Sequence, residues 1–147
     1  METQQLQDSL YERIPLSRAM GVTVLQADPE RVVLRAPLAP NVNHSGTVFG
    51  GSASSVAVLA AWALVEVRLQ SVAQPGRIVI RRSAMDFEQP IVADFTACAE
   101  SPAAADWERL LSTLRRGRMG RIVVRSVLEC EGTPVGELEG EFAVIPT

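Results

Sequence analysis

The sequence contains no lysine, since all 14 of its basic residues are arginine. Schiff-base chemistry and a lysine general base are therefore excluded. His44 is the only histidine, which excludes a histidine-rich metal site and a two-histidine mechanism within one chain. The two cysteines, Cys98 and Cys130, are far apart and form no CxxC pair. We interpret them as reduced thiols of a cytosolic protein.

Strong net charge and long hydrophobic runs are also missing. The formal net charge is -3 over 147 residues, so nothing indicates a nucleic acid or an anionic membrane surface as partner. The longest apolar run, Val56–Val65, is well short of the ~20 residues of a membrane-spanning helix. The N-terminal residues lack the basic and apolar segments of a signal peptide. These features predict one cytoplasmic domain over residues 1–147, with no membrane association.

The hydrophobic pattern predicts two short N-terminal helices, a β-hairpin, one long helix and then mostly strands. A further short helix is expected late in the chain. The predicted segments are helices at Thr3–Arg13 and Leu16–Met20, strands at Val22–Ala27 and Arg31–Ala36, the long helix Phe49–Ser71, strands at Arg77–Phe87 and Ile91–Ala99, a helix at Asp106–Leu114, and strands at Arg121–Glu131 and Pro134–Ile145.

The long helix Phe49–Ser71 is apolar on nearly every side, which indicates burial on nearly every side. Its length would be about 34 Å at ~1.5 Å per residue. The last two strands have a period of two that places the Arg and Glu side chains on one face, so one face of the sheet is expected in water and the other on the core. An antiparallel sheet curled around a central helix fits this order. It is the hotdog arrangement, of the α+β class.

Polar groups are concentrated just before the long helix, in Asn41-Val42-Asn43-His44-Ser45-Gly46-Thr47-Val48-Phe49-Gly50-Gly51-Ser52. Glycines at the helix start let a ligand approach the backbone closely. The first N–H groups of a helix have no partner within it and lie at the positive end of its dipole. Such groups can stabilise an oxyanion that develops on a thioester carbonyl. Close packing of helix on sheet is the alternative explanation for Gly50 and Gly51.

This segment resembles the Asn-x-x-Gly-x-x-His-Gly-Gly signature of PaaI-like hotdog thioesterases. The chain resembles more closely the thioesterase domain at the C-terminus of YiiD-type acetyltransferase proteins, in IPLSRAMGV, APLAPNVNHSGTVFGGS and SAMDFEQPIVAD. The resemblance implies a pocket between two subunits that takes an acyl thioester of coenzyme A or of acyl carrier protein. Asn43 would hold the thioester or the attacking water, and the carbonyl would meet the backbone at Gly50 and Gly51. The same segment and its neighbours supply the other expected substrate-binding residues, Gly46, Thr47, Phe49, Ser54 and Ser83.

Two positions depart from the PaaI-like signature. Phe49 occupies the place of its histidine, and Val58 occupies the place, seven residues after Gly51, where an acid usually acts as base or nucleophile. Valine can do neither. A base must then come from elsewhere. The candidates are Asp86, on the strand after the helix, and His44, because histidine is the side-chain type best suited to accept and return a proton near neutral pH.

The leading hypothesis is hydrolysis of an acyl-CoA or acyl-ACP thioester by a homodimer, or by a tetramer made of two dimers, without a metal or tightly bound cofactor. Asn43 would position the reactants, and His44 or Asp86 would assist proton transfer. The valine at position 58 favours a rival, a non-catalytic acyl-thioester binding module. A second rival is a dehydratase of the same fold, for which His44 and Asp86 would have to meet across the dimer.

Overall fold

The computed structural model describes all of residues 1–147. Four α-helices and six β-strands follow one another along the chain, and a 3-10 turn at Ala39–Asn41 precedes the longest helix. The elements are α1 (Thr3–Arg13), α2 (Pro15–Ala19), β1 (Thr23–Asp28), β2 (Arg31–Ala36), α3 (Gly50–Ser71), β3 (Arg77–Phe87), β4 (Phe95–Glu100), α4 (Ala104–Arg115), β5 (Gly120–Cys130) and β6 (Thr133–Ile145).

The six strands form one antiparallel sheet in the order β1-β2-β4-β5-β6-β3. The sheet wraps around α3, which contacts all six strands. This is the predicted α+β hotdog architecture. α3 begins one residue later than expected, because Phe49 has an extended backbone (φ -59°, ψ 132°) and occupies the position before the first helical residue.

Alanine is the side chain that lets the sheet approach α3 closely. Four alanines of the helix are completely buried: Ala57, Ala60, Ala61 and Ala63. Larger side chains between them, including Val56, Leu64 and Val65, are equally buried and fill the core. The opposite side of the helix is only half-buried, at Ser55, Val58, Trp62 and Glu66. One sheet therefore leaves a stripe of α3 uncovered.

By length and composition α3 could cross a membrane, although 61% of its most apolar window is buried inside the protein. A helix in the core of a globular fold passes the same test. The sequence expectation, based on the shorter uninterrupted run Val56–Val65, understated how apolar the whole helix is.

The predicted strand Ile91–Ala99 is wrong at its N-terminal end, because β4 begins only at Phe95. Residues 91–94 form a connection that serves other contacts. The Ile91 carbonyl accepts a hydrogen bond from the N–H of Val48 (2.9 Å), and the Asp94 carboxylate accepts one from the N–H of Leu38 (2.9 Å) and pairs with Arg35. These contacts join the connection to the loop before α3, and a continuous strand ladder would not allow them.

The final hairpin has the expected two faces. On the outer face Arg125 forms an ion pair with Glu137, and on the inner face Ile122, Val124, Leu138 and Phe142 are buried. Strand β3 lies beyond β6 at the edge of the sheet, and all but two of its residues are exposed. The two cysteines are free thiols, as predicted.

Candidate active site

The N-terminal end of α3 lacks the usual cap. No side chain accepts a hydrogen bond from its first turn, and the first N–H paired within the helix is that of Ala53, which donates to the Phe49 carbonyl (3.0 Å). The N–H groups of Gly50, Gly51 and Ser52 make no hydrogen bond. Three donors at the positive end of a 22-residue helix are therefore free to bind an oxygen that carries negative charge.

The loop before the helix is fixed to the rest of the protein by its backbone and by Asn41. The Phe49 N–H donates to the Asn41 carbonyl (2.7 Å). The buried Asn41 side chain donates to the carbonyls of Met20 (2.9 Å) and Pro37 (2.8 Å). Asn41 thus ties the start of α3 to the segment after α2. Sequence analysis did not single out this residue, and a second asparagine two positions before Asn43 is the signal that could have found it.

Asn43 is engaged within its own loop. Its Oδ1 accepts hydrogen bonds from the N–H groups of Ser45 (2.8 Å) and Thr47 (3.1 Å), and its Nδ2 donates to Thr47 Oγ1 (2.9 Å). The turn it closes includes Gly46, whose φ of +78° is readily adopted only by glycine. His44 is exposed in this turn. Asn43 therefore holds the turn that carries His44, while its own amide is occupied.

Phe49 covers the start of the helix. Its ring lies so close to Gly51 that a Cβ added there would be 2.4 Å from Phe49 Cε2. The ring is nevertheless 58% exposed. It lines a small cleft of about 250 Å³ with Leu16, Met20, Gly51 and Ser52. Gly51 is thus required for the close approach of the Phe49 ring. Phe49 occupies the position that is histidine in the PaaI-like signature.

A larger apolar groove continues from this Phe49 cleft along the uncovered side of α3. It has a volume of about 540 Å³, and ten of its twelve lining residues are hydrophobic. The cleft and the groove share Leu16, Met20 and Ser55, so they adjoin one another. Ser54, predicted as a substrate-binding residue, lines this groove. So does Val58, which confirms that no acid is present at that position of the wall.

On the other side of the helix start lies a cavity of about 350 Å³, which we call the helix-end cavity. Its walls include Thr47, Gly50, Met85 and Phe87, and a Cβ on Gly50 would be in ordinary contact with the Phe87 ring (3.5 Å). Glu88 also lines it. No other acidic side chain lines this cavity, the Phe49 cleft or the apolar groove, and sequence analysis did not consider it.

Asp86 lies between Met85 and Phe87 on β3, and successive side chains of a strand point to opposite faces. Since Met85 and Phe87 face the helix-end cavity, Asp86 faces the outer side of the sheet, where it is paired in register with Glu137. Ser83 is on the inner face with Met85, although it is exposed. The structure does not bring Asp86 together with His44 or with the start of α3 within one chain.

The outer face of the sheet carries a polar hollow of about 550 Å³, close in volume to the apolar groove, over β2, β4 and β5 and beside the start of α4. There Arg31 Nε donates to Cys98 Sγ (2.9 Å), and this contact raises the pKa of the Arg31 guanidinium. Mixed charges line the hollow, and the sheet separates it from α3. It therefore takes no part in the arrangement around Gly50 and Gly51.

A family model described as "Putative thioesterase (yiiD_Cterm)" matches residues 3–146. The chain belongs to this family. The match covers the loop before α3, α3 itself and every strand. The free helix end and the adjoining groove therefore lie in a thioesterase-family domain.

Solved structures agree with this assignment. A protein from Shewanella oneidensis, described as a putative thioesterase, superposes with a TM-score of 0.89 at 26% identity, covering 98% of this chain and 97% of that chain. A protein of unknown function from Chlorobaculum tepidum has a TM-score of 0.91 at 24% identity, covering 99% and 94%. A thioesterase from Haemophilus influenzae shares the fold with a TM-score of 0.79 at 11% identity, covering 99% and 92%.

The groove residues of this YiiD_C-family chain were largely missed from sequence. Leu16, Trp62, Ile80 and Phe142 come from four different elements. Only part of the set carries a sequence signal: Ser54, Val58 and Trp62 recur every four residues on one side of α3. The apolar character of the whole helix obscured this face.

We expect Asn43→Ala to lower the free energy of unfolding by about 1–2 kcal/mol, because three hydrogen bonds that close the turn are lost. Asn43→Asp should lower it less. Its carboxylate can still accept both backbone hydrogen bonds, and the Thr47 hydroxyl can donate to it. Urea unfolding of the three proteins measures the difference. Equal stability of the alanine variant and wild type would show that Asn43 does not hold this turn.

Proposed function

We propose that this protein hydrolyses acyl thioesters carried by coenzyme A or by acyl carrier protein. The observation that carries the proposal is the free end of α3: its first three N–H groups are unpaired, Gly51 and Ser52 line a cleft that adjoins an apolar groove, and Gly50 lines the helix-end cavity. Membership of a thioesterase family supports the same reaction class. An acyl thioester has the two parts that this arrangement accommodates, a polarisable carbonyl and an apolar chain.

In the proposed reaction the thioester carbonyl oxygen accepts hydrogen bonds from the N–H groups of Gly50 and Gly51. Water attacks the carbonyl carbon, and the negative charge of the tetrahedral intermediate is stabilised by these donors and by the helix dipole. Collapse of the intermediate breaks the carbon–sulfur bond and releases the carboxylic acid and the thiol. A base must accept one proton from the attacking water.

We propose His44 as that base, because Asn43 holds the turn that carries it, and this turn lies directly before α3. Asp86 remains the second candidate, although it lies on the outer face of β3 in a single chain. Glu88 is a third, since its side chain lines the helix-end cavity beside Gly50. Gly46, Thr47 and Phe49 form the approach to the helix end. Ser83, on the inner face of β3, is a further proposed substrate contact.

One observation favours a second function, the binding of acyl thioesters without hydrolysis. Val58 lines the groove where related signatures place an acid, and no carboxylate lines the groove or the Phe49 cleft. Such a protein would bind the substrate through the same N–H groups and release no thiol. The geometry of a single chain does not favour dehydratase activity. That reaction would require His44 and Asp86 to meet, and Asp86 faces the outer side of β3.

We further propose that the protein is a cytoplasmic homodimer in which β3 pairs with β3 of a second copy. The exposed edge supports this: an 11-residue edge strand with accessible apolar side chains is normally covered or paired. Ile80 is 43% exposed there and borders the groove. Antiparallel pairing would place the partner's helix end near this groove. Pairing of two dimers into a tetramer is the alternative assembly.

Gly50→Pro should lower kcat for acyl-CoA hydrolysis by about 10²–10³-fold, because it removes one proposed oxyanion donor. Proline is accommodated at the first position of a helix, and the extended backbone of Phe49 is compatible with a following proline. Gly50→Ala is the matched control: it keeps the N–H, and its Cβ meets only an ordinary contact. The measurement is thiol release from short, long and aromatic acyl-CoAs and from acyl-ACP.

Equal rates for the two Gly50 variants would show that this N–H is not a donor to the reacting carbonyl. Absence of thiol release by wild type from every substrate, together with measurable binding of acyl-CoA, would contradict hydrolysis and favour the binding module.

His44→Ala should lower kcat by about 10²–10⁴-fold, the usual contribution of a positioned general base. Asp86→Asn and Glu88→Gln should retain activity within a few-fold of wild type. Thiol release from the best substrate of the panel measures all three. A large loss in Asp86→Asn or Glu88→Gln instead would assign the base to that carboxylate and leave His44 without this role.

Light scattering should give wild type a mass twice the 15.9 kDa of one chain. Ile80→Arg should shift the mass towards one chain, because its unpaired charge would be buried on the apolar face where the two copies meet. Val123→Arg, at a similarly exposed position in the middle of the outer sheet face, should leave the dimer intact. A single-chain mass for wild type would contradict the dimer, and an unchanged mass for Ile80→Arg would exclude β3 as its interface.

A further inference from the structure

The apolar groove has a defined far end. Along α3 its lining starts at Ser54 and Ser55, passes Val58 and ends at Trp62. At ~1.5 Å per residue, Trp62 lies about 16 Å along the helix from Gly51. The small side chains of Ser54 and Ser55 border the groove close to the proposed position of the carbonyl. The large indole of Trp62 borders its other end.

Trp62 is held on several sides. Its Nε1 donates to the Ile78 carbonyl of β3 (3.4 Å). The Arg13 guanidinium lies over its ring, 5.2 Å from the centroid, within the range of a cation–π contact. Arg13 is fixed in turn by an ion pair with Glu66 (2.9 Å), whose side chain is only 13% exposed. Helix α1, helix α3 and strand β3 therefore fix the indole together, and it cannot easily swing aside to lengthen the groove.

We propose that Trp62 sets the maximum length of acyl chain that this protein accepts. This inference rests on the proposed function, because it assigns the groove to the acyl chain of a substrate whose carbonyl is at Gly50 and Gly51. The adjacency of the Phe49 cleft and the groove supports that occupant, since Gly51 and Ser52 line the cleft and the groove beside it is apolar. A chain longer than the path meets the indole and loses contacts or leaves the groove.

The test measures chain-length dependence in two ways. One is kcat/KM for a series of saturated acyl-CoAs from butyryl to palmitoyl. The other is the affinity for the corresponding free fatty acids by calorimetry, which does not depend on hydrolysis. In wild type, kcat/KM and fatty-acid affinity should both drop once the acyl chain exceeds a limiting length. In Trp62→Ala the limit should move to longer chains, with a gain of at least about tenfold for the first chain that wild type excludes.

Three further variants make the result specific. Trp62→Leu, which keeps an apolar contact, should extend the length limit less than Trp62→Ala does. It also tests the proposal if the alanine variant does not fold. Val58→Phe narrows the middle of the groove and should shorten the limit. Leu111→Ala, a half-buried position on α4 that lines none of these cavities, should leave the length profile unchanged.

The outcomes separate the two proposals. Hydrolysis with a length limit that neither Trp62 nor Val58 variants move would overturn the role of Trp62 and leave the thioesterase proposal standing. A shifted limit in fatty-acid affinity without any thiol release would support the role of Trp62 and contradict hydrolysis. Absence of both hydrolysis and fatty-acid binding in folded wild type would overturn both.

Discussion

The burial of one helix in a single curved sheet is the constraint on which the rest of this structure depends. α3 brings eleven buried side chains into the core, and each fully buried Val or Leu contributes roughly 1.5–3 kcal/mol of transfer free energy. The sheet can approach only because alanines lie between the larger residues. One sheet has too little width to enclose the helix on all sides, and the uncovered stripe becomes the floor of the groove.

The same helix has to begin near the site at which the sheet opens. A Ser, Thr, Asp or Asn at the N-cap would stabilise it by about 1 kcal/mol, but this position holds Phe49, followed by two glycines. The helix end therefore keeps its donors free at some expense of stability. Hydrogen bonds of the loop backbone to Asn41, Ile91 and Asn43 compensate by fixing the chain before the helix. Stability and the proposed chemistry thus compete for the same three N–H groups.

Predictions from sequence succeeded where a local pattern has one physical solution. The period of two in β5 and β6 and the largely apolar character of α3 each allow only one kind of element, and both are where they were expected. The prediction failed at residues 91–94, where Ile91 and Val92 have the composition of a strand. Their backbone instead serves the loop before α3, and a contact with a segment more than 40 residues away is not encoded in strand propensity.

The sequence by itself determined the order of elements, the buried helix, the two faces of the final hairpin and the uncapped glycines at the helix start, because each follows from residue type and spacing. Only the tertiary structure decided which side chains meet. The Asn43 side chain is hydrogen-bonded within its own loop, and Asp86 lies on the outer face of β3. Glu88 and Gly50 line the same cavity, and Leu16, Trp62 and Ile80 line one groove. Those outcomes depend on strand register and on the curvature of the sheet around α3, which arise from contacts between distant segments.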